Sequence, residues 1–294
     1  MNCRILATMD FCLPCFLAFL LMGGVLARRN GGDASFDQNY DITWGYDHVK
    51  SLDEGRQIQL SLDHSSGSGF GSKLGFGSGF INMRIKLPGK DSAGVVTAFY
   101  LTSHSNNHDE LDFEFLGNRE GKPITLQTNV FANGRGNREQ RMHLWFDPAA
   151  DFHSYKILWN QYQIVFYVDD TPIRVFKNHT NIGVSYPSQP MQIEASLWNG
   201  ESWATDGGHT KINWSHAPFQ AHFQGFDING CSDHQRQPNV QPCYSTSYWW
   251  NTRKYWTLDS ARQRAYENVR KKYLTYDYCS DRPRYPTPPP ECPQ

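Results

Sequence analysis

Charge is nearly balanced in this chain, and no stretch of it forms a basic stripe. Twenty-eight Lys and Arg stand against 29 Asp and Glu, for a formal net charge of −1. With no basic stripe, the sequence implies no nucleic-acid partner. Nucleotide fingerprints are missing too. The Gly/Ser-rich stretch at residues 65–79 contains neither Gly-x-Gly-x-x-Gly nor a Gly-Lys-Ser/Thr ending, which argues against phosphate cradling. It reads instead as a mobile loop ahead of a strand. No Ser nucleophile elbow occurs, and no Cys-x-x-Cys pair offers a zinc site. His104 and His108 have a zinc-like spacing of four, but Ser105-Asn106-Asn107 between them is a poor helix. No long helical period appears from Phe36 to Phe226.

Cysteine is scarce and uneven, with seven in all. Cys3, Cys12 and Cys15 fall in an N-terminal segment with the marks of a secretory leader: Arg4, an apolar run from Phe11 to Leu26, and a small-residue ending at Val25-Leu26-Ala27. The pattern predicts cleavage after Ala27 and a secreted, extracellular protein. The run is short for a spanning helix and is interrupted by Pro14, so no membrane anchor is expected. The remaining four, Cys231, Cys243, Cys279 and Cys292, all lie in the last quarter. In an oxidising compartment they read as two disulfides stapling a small C-terminal segment. Three pairings are open, and nearest neighbours give Cys231 with Cys243 and Cys279 with Cys292. Two sequons, Asn178-His179-Thr180 and Asn213-Trp214-Ser215, are candidate glycosylation sites, with Asn178 favoured by its polar surroundings after a strand.

What fills the chain is short alternating or apolar runs with turns between them. Strands are predicted at Gln57–Leu62, Gly79–Leu87, Val95–Thr102, Thr125–Phe131, Ser154–Trp159, Gln163–Val168, Ile173–Lys177 and Met191–Leu197. Turns fall at Pro88-Gly89, Asn133-Gly134, Asp169-Asp170 and Asn199-Gly200. The fold class that follows is all-β, a curved antiparallel sandwich or jelly roll. After Phe226 the character changes. Asp259–Leu274 reads as a helix with Ala265, Tyr266, Val269 and Tyr273 on one face, and the end is proline-rich. The predicted organisation is a leader over 1–27, a jelly-roll domain over 28–225 and a C-terminal extension over 226–294.

The chemistry sits in His-Asp-Glu-Leu-Asp-Phe-Glu-Phe-Leu-Gly, residues 108–117. With a period of two, His108, Glu110, Asp112 and Glu114 share one strand face, and Asp109, Leu111, Phe113 and Phe115 share the other. The aromatic face calls for a core. On the acidic face three carboxylates follow one another about 6.6 Å apart along the backbone. Each disfavours its neighbours' ionisation, so at least one should carry a raised pKa. Glycosidic bond cleavage requires one protonated and one ionised carboxyl group. Glu110 and Glu114, about 13 Å apart at the backbone, have side chains long enough to converge over a curved sheet. The shorter Asp112 is suited to tuning a neighbour's charge. A calcium site would call for loop geometry and backbone oxygens that a regular strand does not offer.

The same stretch resembles the catalytic strand of plant xyloglucan endotransglucosylase/hydrolases in glycoside hydrolase family sixteen. Similar segments recur along the chain: Gln127-Thr128-Asn129-Val130-Phe131, Gly136-Asn137-Arg138-Glu139-Gln140-Arg141, Trp203-Ala204-Thr205, Tyr248-Trp249-Trp250-Asn251, and Pro288-Pro289-Pro290-Glu291-Cys292. The resemblance implies a concave glucan-binding cleft in a monomeric enzyme that uses no cofactor or metal. It assigns Glu110 as nucleophile, Asp112 as its helper and Glu114 as acid/base. It places His108, Glu114, Gln127, Thr128, Asn129, Asn137, Arg138, Glu139, Arg141, Trp198, Trp203, Ala204, Gly207 and Arg284 in contact with substrate. Amides and Arg suit sugar hydroxyls, and Trp faces suit the apolar faces of pyranose rings.

Many members of that family carry a sequon directly after the catalytic strand, whereas this chain reads Asn118-Arg119-Glu120. That reading resembles a branch with hydrolytic members. The expected reaction is retaining cleavage of the β-1,4-glucan backbone of xyloglucan, with transfer to a xyloglucan acceptor or to water. A glucan-binding lectin and a hydrolase of another β-glucan are the rival readings. The complete carboxylate set argues against the lectin, because binding alone requires no paired acid and nucleophile.

Overall fold

A computed structural model describes residues 34–232 and 240–292. The leader predicted over residues 1–27 lies outside them. Among the described residues there are fifteen strands. They are β1 (Tyr40–Trp44), β2 (Val49–Leu52), β3 (Gln57–Leu62), β4 (Ser68–Lys86) and β5 (Val95–Thr102). Then come β6 (Glu110–Leu116), β7 (Thr125–Phe131), β8 (Gln140–His143), β9 (His153–Trp159) and β10 (Gln163–Val168). The last are β11 (Thr171–Lys177), β12 (Met191–Asn199), β13 (Phe219–Gln224), β14 (Asn229–Ser232) and β15 (Leu274–Asp277).

All pairings between strands are antiparallel, and the 19-residue β4 serves two layers. Its first half pairs with β1 and β12, and its second half with β9 and β13. One layer therefore runs β1-β4-β12-β5-β6-β7-β8-β15, and the other runs β11-β10-β9-β4-β13-β3-β2. The sandwich closes on the aromatic face of β6. Phe113 meets Tyr155 and Phe166 at ring-centre distances of 5.7 and 5.2 Å, and Phe115 meets Tyr155 at 4.6 Å. Leu111, Phe113 and Phe115 are at most 2% exposed. This edge-to-face packing adds to the area the rings bury.

The Gly/Ser-rich stretch at 65–79 is mostly strand rather than a mobile loop, since β4 begins at Ser68. Its glycines serve close approach. A Cβ on Gly69 would lie 2.4 Å from Trp44 Nε1, and one on Gly77 would lie 2.9 Å from Cys243 Sγ. Both are contacts that only a bare backbone tolerates. The Asp169-Asp170 turn joins β10 to β11 as a hairpin, with Asp169 at φ 52°.

The C-terminal region docks on this frame. A helix spans Ser260–Tyr273, and its N-cap Asp259 accepts from the Arg262 N–H. It lies against β11. Val269 is buried, and Arg270 donates to Gln140 Oε1 at 2.9 Å and pairs with Asp277. Beyond the helix, β15 pairs with β8 and extends the carboxylate-bearing sheet by one strand. Disulfides join Cys231 to Cys243 and Cys279 to Cys292, the nearest-neighbour pairing. Among the described residues, no helix is long and apolar enough to cross a membrane.

Candidate active site

Alternation on β6 turns Glu110, Asp112 and Glu114 to the open face of their sheet, and the register gives each a fixed set of neighbours. Glu110 pairs with Thr102 and Phe131, Asp112 with Tyr100 and Asn129, and Glu114 with Ala98 and Gln127. Farther out, Gln127 pairs with Arg141, and Arg141 with Tyr276. Asp112 is 6% exposed between the two half-buried glutamates.

These neighbours give the carboxylates different environments. Burial is the main cause pushing the Asp112 carboxyl well up, and the charges of Glu110 and Glu114 add to it. A protonated Asp112 can donate the hydrogen bond it shares with Glu110. Burial also raises Glu114. There the Gln127 bond pulls the other way, Glu110 and Glu139 add to the rise, and Arg141 opposes it. Gln127 Nε2 donates to Glu114 Oε2 at 2.6 Å, and Arg141 Nε donates to Gln127 Oε1 at 2.7 Å. The chain Arg141–Gln127–Glu114 fixes the orientation of a carboxyl group that stays protonated beyond the usual carboxylate range. A raised carboxyl beside a second carboxylate is the arrangement of a general acid with its nucleophile.

Several of the residues predicted to contact substrate lie beside this row, among them Gln127, Asn129 and Arg141. His108 stacks on Phe131 with ring centres 5.0 Å apart. Asn129 Oδ1 accepts from the Arg138 N–H at 3.0 Å. Arg284 donates to Asn137 Oδ1 at 2.6 Å and to Glu139 Oε2 at 2.8 Å, so the C-terminal region grips the segment leading into β8. Trp198 and Trp203 lie 6.1 Å apart, packed with Ala204 over Val96 and Leu116. Gly207 is at φ 63° in open space.

Two of the predicted contact residues have their side chains engaged elsewhere. Thr128 is opposite Phe113 and Gln140, so its side chain points to the core, where its Oγ1 and carbonyl accept from the buried Arg174. The period of two that turns Gln127 and Asn129 outward turns Thr128 inward. The Arg138 guanidinium is also committed elsewhere. It donates to Glu291 Oε1 at 2.6 Å and to the Val130 carbonyl, and lies over the Phe176 ring. It anchors the chain end rather than facing the carboxylates.

Sequence reasoning missed other residues of this face. Tyr100 donates to Glu194 Oε2 at 2.6 Å, and His104 Nε2 lies 2.6 Å from Glu194 Oε1. His104 is therefore a carboxylate partner, and no cluster of three or more metal-ligating side chains occurs among the described residues. Alternation of Gln192, Glu194, Ser196 and Trp198 with apolar residues could have exposed Glu194. Asp109, counted with the aromatic face, is 2% exposed. Its carboxylate accepts from the N–H groups of Asn133, Ser188 and Gln189, tying together the loops at the end of β6. The sequons also differ. Asn178 is half-buried with Nδ2 bonded to the Gln161 carbonyl at 2.8 Å, whereas Asn213 is exposed.

A two-layer antiparallel sandwich with a buried acid beside a second carboxylate on its open face is the apparatus of a carbohydrate-cleaving enzyme. Residues 36–216 match the family model for glycosyl hydrolases family 16, and the chain belongs to that family. Residues 244–292 match the xyloglucan endo-transglycosylase (XET) C-terminus. The chain is 61% identical over 283 residues to xyloglucan endotransglucosylase/hydrolase protein 2 of Arabidopsis thaliana, covering 96% of this chain and 97% of that one. With protein 3 of the same name and organism it is 58% identical over 282 residues, covering 94% and 97%. A Bacillus licheniformis β-glucanase structure, 24% identical with a TM-score of 0.52 over 63% of this chain and 89% of that one, shares the fold.

Proposed function

We propose that this enzyme cleaves the β-1,4-glucan backbone of xyloglucan with retention and passes the glycosyl group to a xyloglucan acceptor or to water, remodelling cell walls. The observation that carries the reading is Glu114, a carboxyl group raised by burial and oriented by Gln127 and Arg141, four residues from Glu110 on one face of β6. The names of the relatives supply the substrate class.

In the first step the Glu110 carboxylate attacks the anomeric carbon. The bond to the leaving glycosidic oxygen breaks, and that oxygen takes the Glu114 proton. Asp112, kept neutral by burial, donates to Glu110 and orients it. In the second step Glu114, now a carboxylate, removes a proton from the incoming hydroxyl, which displaces Glu110 and restores the configuration. Transfer outcompetes hydrolysis only where a bound acceptor is held in a near-attack pose. The segment after Phe226, with Arg284 beside Asn137 and Glu139, is suited to extending that acceptor side. The same reading takes the protein as a secreted monomer with a leader over 1–27, a catalytic domain over 28–225 and an extension over 226–294. Of the two sequons, the exposed Asn213 is the better glycan acceptor.

The test is product analysis on xyloglucan with and without a labelled xyloglucan oligosaccharide. The expected result is label in polymer, together with viscosity loss when no acceptor is added. Absence of label at saturating acceptor would reduce the enzyme to a hydrolase. Undetectable hydrolysis would overturn the link to the hydrolytic branch.

A further inference from the structure

The carboxylate row does not end at Glu114. Ala98 pairs with Glu114, Ser196 with Ala98, Gly69 with Ser196 and Trp44 with Gly69. Four strand-to-strand steps carry this line about 19 Å from the acid, the length of several linked pyranose rings. At its end the indole of Trp44 lies directly on bare backbone. A Cβ on Gly69 would come within 2.4 Å of its Nε1, and one on Gly67 within 3.1 Å of its Cη2. Trp44 as a whole residue is 39% exposed. Among the described residues no other aromatic ring stacks on it, and its N–H has no hydrogen-bond partner. A large aromatic surface left open on the working face, over glycines that make room for it, has the chemistry of a sugar platform: a flat π-face for the C–H side of a pyranose and a free donor for a hydroxyl.

We propose that Trp44 is a stacking platform for a glucosyl unit of the donor chain, several units from the bond that is cut. The inference rests on the proposed β-1,4-glucan reaction, because β15 and Arg284 occupy the opposite end of the row and leave the Trp44 end to the donor. It gives the enzyme a preference for long donors. It also gives the Gly/Ser-rich start of β4 a purpose, since Gly67 and Gly69 form the bed of the indole.

The experiment measures KM and kcat on xyloglucan oligosaccharide donors graded in length, for wild type, Trp44→Ala, Trp44→Phe and Gly69→Ala. For donors long enough to reach Trp44, Trp44→Ala should raise KM about tenfold, the usual scale for truncating a buried aromatic contact, with kcat unchanged. Short donors should be unaffected, Trp44→Phe should retain most of the preference, and Gly69→Ala should reproduce the loss by crowding the indole off its bed. If Trp44→Ala does not fold, Gly69→Ala decides. Unchanged KM on long donors overturns the platform, as does an equal loss at every length, which would mark Trp44 as a support of β1 alone. If wild type leaves every β-1,4-glucan donor intact, the proposed function fails and takes the platform with it. Wild-type turnover with no length effect in the variants overturns the platform only.

Discussion

Gln127 donates to Glu114 across 2.6 Å from a directly paired position on the neighbouring strand. This bond opposes the rise that burial imposes on Glu114. Gln127→Leu should therefore raise the Glu114 pKa further and move the alkaline limb of kcat/KM to higher pH. The lost orientation should cost about 10- to 100-fold in rate at the optimum. A pH–rate profile with an unmoved alkaline limb would detach Gln127 from the acid.

Glu110→Ala should abolish cleavage and transfer while leaving the fold intact, because the side chain faces away from the core. For Glu114→Gln the loss should be roughly 10²–10⁴ in rate, and smaller on aryl glycosides whose leaving groups require little protonation. Equal losses on both substrate types would assign the acid role elsewhere.

Asp112 gives a stability test. Its folded pKa lies above the unfolded value, mainly because burial disfavours the charge. The folded state then holds a proton that the unfolded state has released, so stability falls as pH rises from the unfolded pKa through the folded one. Asp112→Asn removes that titration. Thermal melts should show the variant gaining on wild type as pH rises from about 4 towards neutrality, while activity drops. A constant difference in melting temperature across that range would contradict the burial account.

Replacing Cys279 and Cys292 by Ser opens a loop of sequence separation 13 at the chain end. The expected cost is about 2–4 kcal/mol. Hydrogen exchange should rise first around β15 and in residues 278–292, with β6 and β7 protected longest. Uniform exchange across the molecule would show that the bridge staples more than this segment.

Arg284 bonds Asn137 and Glu139 rather than the carboxylates of β6. Arg284→Ala should lower label incorporation into polymer several-fold more than it lowers hydrolysis, since water requires no bound acceptor chain. A parallel fall in both rates would place Arg284 in general support of the sheet.

Much of this was legible in order along the chain. Alternation at residues 108–117 separated the carboxylate face from the aromatic face, and the cysteine positions anticipated both disulfides. Thr128 and Arg138 lie in segments that resemble a substrate-binding family, but resemblance assigns a segment and not the direction of each side chain. The glycines of β4 looked like a loop because their reason, the Trp44 indole and Cys243 pressing on the backbone, is far away in sequence.

The sequence by itself determined which side chains share a strand face, because the extended backbone alternates them by covalent geometry alone. It thereby placed Glu110, Asp112 and Glu114 together, and Gln127 with Asn129. Only the tertiary structure decided which faces lie side by side. Gln127 reaches Glu114 from 13 residues away, and Arg284 reaches Asn137 from 147. Those pairings depend on how two layers bury their apolar faces against each other, which sets strand order and register for the whole sheet. The same burial raises Asp112 and Glu114, so the difference in environment among the carboxylates is a property of the packed sheet.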